Sequence, residues 1–237
     1  MASMEKRVEE FASQLEAALG GSLVSVVLYG SAARDQYRKG KSDINLLILL
    51  KDAGSGTIAR AAEAIAKWVK SGELAPLLFS EAEWKASADV FPLEIEDMRE
   101  AHKVIRGSSP FLGLATQRDD VRRQLEREVR GKLLHLRTEY AALATDGKAL
   151  GALLENSLGT FLVLFRATLR LARDAAPPEP EAVVRATAVA AGLDAEAFDW
   201  PLARRAGKKV PELRSFDPTA SRYVDQIEKL ARFVNQL

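Results

Sequence analysis

The chain contains no cysteine, which excludes disulfides, thiolate metal sites and a cysteine nucleophile. With only two histidines besides, it lacks the usual ligand set for zinc. There is no charge of one sign to spare: 34 Lys and Arg stand against 33 Asp and Glu, a formal net charge of +1. That balance speaks against a surface built to coat nucleic acid. No apolar run, Leu46–Leu50 included, approaches the roughly 20 residues that span a bilayer, and no membrane partner is expected. The first residues, Met1-Ala2-Ser3-Met4-Glu5-Lys6-Arg7, lead directly into a charged helical pattern without the look of a signal peptide. A cytoplasmic protein is the expectation.

What is present fits a folded, core-forming chain: 237 residues, 47% apolar and 28% charged. Val8, Phe11, Leu15 and Leu19 recur at helical spacing, and Gly20-Gly21 closes that segment. Ser22–Tyr29 and Ile44–Leu50 read as nearly continuous apolar strands, covered on both faces. Thr57–Lys70 reads as a helix. Leu74–Phe79 reads as a third strand, with Pro76 placing it at an edge. Ser80-Glu81-Ala82-Glu83 has the form of a capping box. Leu93 and Ile95 alternate with Glu94 and Glu96, which predicts a fourth strand over Pro92–Met98 and a short helix from there to Arg106-Gly107.

Beyond the turn-rich Ser108–Gly113 the pattern becomes helical throughout. Arg118–Ala144 and Lys148–Ala175 are two long helices, Pro177–Pro180 a stiff break, and 181–191, 195–206 and 217–237 three more. Asp217-Pro218 supplies a cap and first residue for the last. The fold class expected is α+β: a mixed-sheet domain over residues 1–110, then an all-α helical bundle over 111–237.

The most informative stretch is Val26-Val27-Leu28-Tyr29-Gly30-Ser31-Ala32-Ala33-Arg34, followed after a basic loop by Ser42-Asp43-Ile44-Asn45 and the apolar Leu46–Leu50. It resembles the nucleotidyltransferase superfamily typified by DNA polymerase beta: a strand ending in Gly-Ser, a loop, then Asp-x-Asp or Asp-x-Glu in a second strand. The resemblance covers about the first 110 residues. It implies transfer of a nucleoside monophosphate (NMP) from an Mg²⁺-bound nucleoside triphosphate (NTP) to a hydroxyl on a small molecule, a protein or RNA. Two divalent ions about 3.5–4 Å apart would stabilise the attacking and leaving oxygens. Residues i and i+2 of a strand share a face, hence the spacing of the acids. By that resemblance Gly30, Ser31 and Arg34 would hold phosphate, and Asp43 would be the metal ligand and catalytic acid with Asn45 beside it. Arg38, Lys39 and Lys41 would add cationic contacts.

Here the sequence departs from the pattern. Asn45 is isosteric with Asp but neutral, so it cannot bridge two cations. The third acid of the family, expected on the next central strand, aligns with Ala75 or Pro76, leaving Glu73, Glu94 and Glu96 as substitutes. A degraded metal site is expected, with a catalytically dead nucleotide-sensing or partner-binding module as the alternative. A third reading comes from Arg130 and His135, whose spacing resembles the HEPN ribonucleases; the simpler reading makes His135 a helix-face residue. His102 is expected near a helix end. Phe161–Phe165 is expected in the bundle core or on a homo-oligomer or partner-protein surface. Arg204–Lys209 is a basic cluster at a helix end.

Overall fold

The structure is a computed structural model describing residues 3–34, 43–173 and 175–237. The chain divides into two compact units, residues 1–117 and 118–237.

The N-terminal unit opens with α1 (Met4–Leu19), capped by Ser3, whose hydroxyl accepts from the Lys6 N–H. β1 (Leu23–Tyr29) runs to the Gly30–Ala32 turn. β2 (Asn45–Leu50), α2 (Ser55–Lys70) and β3 (Leu77–Ser80) follow. β3 begins directly after Pro76 and lies at an edge of the four-stranded sheet, whose order is β3-β2-β1-β4. β1 is antiparallel to both β2 and β4, and β2 is parallel to β3, so the sheet is mixed. The capping box at Ser80 is formed and starts α3 (Glu81–Ala86).

The segment expected as a fourth strand is instead α4 (Pro92–Glu100), and the strand β4 is His102–Gly107, where a helix was expected. Pro92 sits in the first helical turn, where its fixed φ favours a helix. Ile95 and Met98 are buried one turn apart, together with Leu93. Glu94 and Glu96 are therefore helix-face residues, not outward positions of a strand.

Each face of the sheet has its own core, as strand alternation requires. Val26, Leu28, Ile44, Leu46, Ile48 and Leu50 pack with α1 and α2, where Phe11 stacks on Trp68 with ring centroids 4.7 Å apart. Val27, Leu47 and Leu49 pack with Trp84, Ile95, Met98, Phe111 and Leu114 on the other face, and Tyr29 lies against this second cluster.

The second unit is helical: α5 (Arg118–Leu143), α6 (Gly147–Arg173), α7 (Pro180–Ala191), α8 (Asp199–Arg205) and α9 (Pro218–Val234). The 195–206 segment is a 3₁₀ turn (Ala195–Phe198) running into α8. α6 is long and apolar enough to cross a membrane by length and composition, but α5, α7, α8 and α9 pack around it as a core helix. Phe161, Phe165, Phe198 and Tyr223 form an edge-to-face aromatic cluster at its centre.

Candidate active site

The end of the sheet where β1 stops and β2 starts gathers the residues of interest. Gly30 follows Tyr29 with φ +77°, a left-handed conformation that disfavours any residue with a Cβ. A Cβ there would also come within 3.2 Å of the Asn45 side-chain nitrogen. The turn is tightened by the Ala33 and Arg34 N–H groups, which donate to the Gly30 carbonyl at 3.1 and 3.2 Å. Gly30 is buried and its own N–H donates to the Ala101 carbonyl at 3.1 Å, so the phosphate role expected of it reduces to leaving room. Ser31 is half-buried at the surface end of the turn.

Ile44 points into the α1/α2 core, so Asp43 and Asn45 share the opposite face, with Asp43 exposed and Asn45 half-buried. Asn45 pairs with Tyr29 across β2 and β1, and Tyr29 pairs with His102 across β1 and β4. The three side chains form a row over one end of the sheet. Burial pushes the Tyr29 phenol above its usual range, and the negative charge of Asp97 adds to the shift. The His102 Nδ1 lies 3.0 Å from the Arg99 carbonyl. A carbonyl only accepts, so Nδ1 carries the proton and Nε2 is the acceptor in the neutral ring. His102 thus heads a strand and stacks near Phe111 (centroids 4.6 Å apart), rather than closing a helix.

Arg34 does not point freely from the turn. Its Nη2 lies 2.8 Å from Asp97 Oδ1 and 3.3 Å from the Asp97 carbonyl, and the two side chains are only 12% and 15% exposed. Sequence reading missed Tyr29, Asp97 and His102 as neighbours of the site. Tyr29 had one local signal, its place directly before Gly30; Asp97 had none.

The substitute acids are engaged elsewhere. Glu73 pairs with Arg7 at 2.6 Å. Glu96 accepts from the Thr116 hydroxyl at 2.6 Å and pairs with Arg99 at 3.3 Å. Glu94 is exposed on α4. β2 pairs with β3 from Leu47↔Leu77 onward, so Ala75 and Pro76 precede the paired strand. Among the described residues no group of three His, Asp or Glu side chains is placed to hold a metal ion. Among the described residues, the two motif positions at the head of β2 hold one exposed carboxylate, Asp43, and one neutral amide, Asn45. Arg38, Lys39, Lys41 and Ser42 lie outside the described residues.

In the helical unit Arg130 and His135 are separated. At about 100° per residue, five residues turn them about 140° apart on α5. Arg130 donates to the Glu126 carboxylate and to Asn235 Oδ1 at 3.0 Å each, whereas His135 pairs with Glu139 at 3.3 Å and lines a cleft of about 410 Å³ between α5 and α6. Arg204 pairs with Glu155, and Phe161 and Phe165 are buried core residues.

A mixed sheet with a glycine turn after β1 and an Asp-x-Asn at the head of β2 defines a nucleotidyltransferase fold. Residues 5–102 match the family profile described as a nucleotidyltransferase domain. The whole chain is similar in fold to the crystal structure of spectinomycin adenyltransferase AAD(9) from Enterococcus faecialis with ATP and spectinomycin. The match has a TM-score of 0.63 and 12% identity, covering 98% of this chain and 100% of that one. No curated protein matches the sequence.

Proposed function

We propose that the chain is a nucleotidyltransferase with a weakened ion site, which binds an NTP at the Gly30-Ser31 turn and transfers NMP slowly to an acceptor hydroxyl. The observation that carries this reading is the convergence of Gly30, Ser31, Asp43 and Asn45 at one end of the sheet, with the side-chain nitrogen of Asn45 only 3.2 Å from where a Gly30 Cβ would stand. Gly30 leaves the space that phosphate oxygens need, and the Ser31 hydroxyl donates to them. Asp43 is the one carboxylate offered to the Mg²⁺ that accompanies an NTP. The similar adenyltransferase, solved with ATP and spectinomycin, supports ATP as nucleotide and a small polyhydroxyl compound as acceptor. The neutral Asn45 at the second acid position favours a second reading, a nucleotide sensor that has lost transfer altogether.

The test is calorimetric titration of the four NTPs with Mg²⁺ or Mn²⁺ into wild type and Asn45→Asp, with pyrophosphate release followed in parallel. Metal-dependent binding by wild type is expected, strengthened about tenfold or more by the restored acid. Pyrophosphate release from Asn45→Asp alone would identify the sensor. Silence from both proteins would end the nucleotide reading.

A further inference from the structure

The Arg34–Asp97 pair stands beside the phosphate turn, although the nucleotidyltransferase motif contains no partner for this arginine. Two links tie the turn to the C-terminal end of α4: the Gly30 N–H to the Ala101 carbonyl, and Arg34 Nη2 to Asp97. Both charged side chains are largely withdrawn from water, so each matters to the other more than an exposed pair would. Arginine has five donors in a planar fork. Asp97 engages Nη2, and among the described residues no partner is seen for Nε and Nη1. The Asp97 charge is also felt by Tyr29, the residue between Gly30 and the Asn45–Tyr29–His102 row.

We infer that Asp97 is a counter-charge that sets the affinity of the phosphate site. Without nucleotide it neutralises Arg34 and holds it against α4; a triphosphate, with several negative charges, draws the guanidinium from Asp97 towards the Ser31 end of the turn. Asp97 is then a positioning residue, acting on nucleotide through Arg34. The inference rests on the reading that an NTP binds at Gly30-Ser31. It makes two predictions that a merely structural contact does not: removing the Asp97 charge tightens anion binding, and it does so only while Arg34 is present.

The experiment titrates ATP and inorganic tripolyphosphate, without divalent ions, into the full chain as wild type, Asp97→Asn, Arg34→Gln and the double variant. Asp97→Asn should bind both ligands about tenfold more tightly than wild type, and Arg34→Gln about tenfold more weakly. In the Arg34→Gln background the Asp97 substitution should change nothing. Asp97→Glu keeps the charge and serves where Asp97→Asn does not fold; it should bind like wild type, and an affinity gain there would overturn the proposal. Wild-type binding with an unchanged or weakened Asp97→Asn leaves the nucleotide reading standing and overturns the role of Asp97. Failure of every protein to bind either ligand overturns this inference, while the nucleotide reading stands or falls by the Mg²⁺ and Mn²⁺ titrations.

Discussion

Single residues at the end of the sheet decide what it can do. Gly30 meets two demands at once, a left-handed φ and closeness to the Asn45 side chain. Gly30→Ala is expected to cost about 1–3 kcal/mol of stability, read by denaturant unfolding, and to weaken ATP binding as the new methyl crowds Asn45. Asn45 sets the chemistry differently: it keeps the shape of aspartate while withholding its charge. Both residues were legible in the sequence, because Gly-Ser and Asp-x-Asn are local patterns and alternation along a strand fixes which way positions 43 and 45 face. Asp97 was not legible. It meets Arg34 from 63 residues away, on a helix that the sequence presents as a strand.

That misreading belongs to the scale of elements. Over the short span 92–98, buried Leu93 and Ile95 fit the two-residue period of a strand, whereas buried Pro92, Ile95 and Met98 fit the three-residue spacing of a helix. The long helices of the second unit were plain from their apolar spacing, since 26 and 27 residues give the period room to declare itself. Start signals were equally readable where a side chain satisfies an orphan N–H. At Ser80 the hydroxyl accepts from the Glu83 N–H while the Glu83 carboxylate accepts from the Ser80 N–H and hydroxyl, and those bonds hold Glu83 below the usual carboxylate range. Ser80→Ala removes one half of the box and should cost about 1 kcal/mol. Thermal unfolding would show it as a lowered midpoint. Gly147 opens α6 under the Leu213 carbonyl, where a Cβ would stand 1.9 Å from the oxygen. Gly147→Ala should therefore displace the 213–214 segment and destabilise the helical unit more than the loss of the Ser80 cap destabilises the first, again by thermal unfolding.

For the molecule as a whole, stability should fall at both ends of the pH scale. Burial pushes the Asp217 carboxyl up, but N–H groups of Arg214 and Thr219 more than offset it and leave the group below its ordinary value. Asp194 is lowered too, chiefly by Arg222. A depressed acid stabilises the fold above its unfolded value of about 3.9 and ceases to as pH falls through the lower folded value. Acid unfolding followed by circular dichroism should therefore begin below about pH 4. At the other end, burial drives the Tyr223 phenol well above its usual range, against the opposing hydrogen bond with Ser157. The folded state keeps that proton when the unfolded chain has lost it, so stability declines as pH rises past about 10. Tyr223→Phe should cost about 1 kcal/mol at neutral pH and flatten the alkaline decline.

The rings packed beneath β4 give the N-terminal unit an optical voice of its own. His102 lies against Phe111, Phe111 meets Trp84 edge-on at 5.9 Å, and the Trp84 indole N–H donates to the Pro110 carbonyl at 2.8 Å. A ligand that shifts Tyr29 or His102 presses on this stack, and the emission of a buried indole responds to small changes in its surroundings. Occupancy at the Gly30 turn can thus be watched as a change in intrinsic fluorescence that is lost in Trp84→Phe, where only Trp68 and Trp200 still emit.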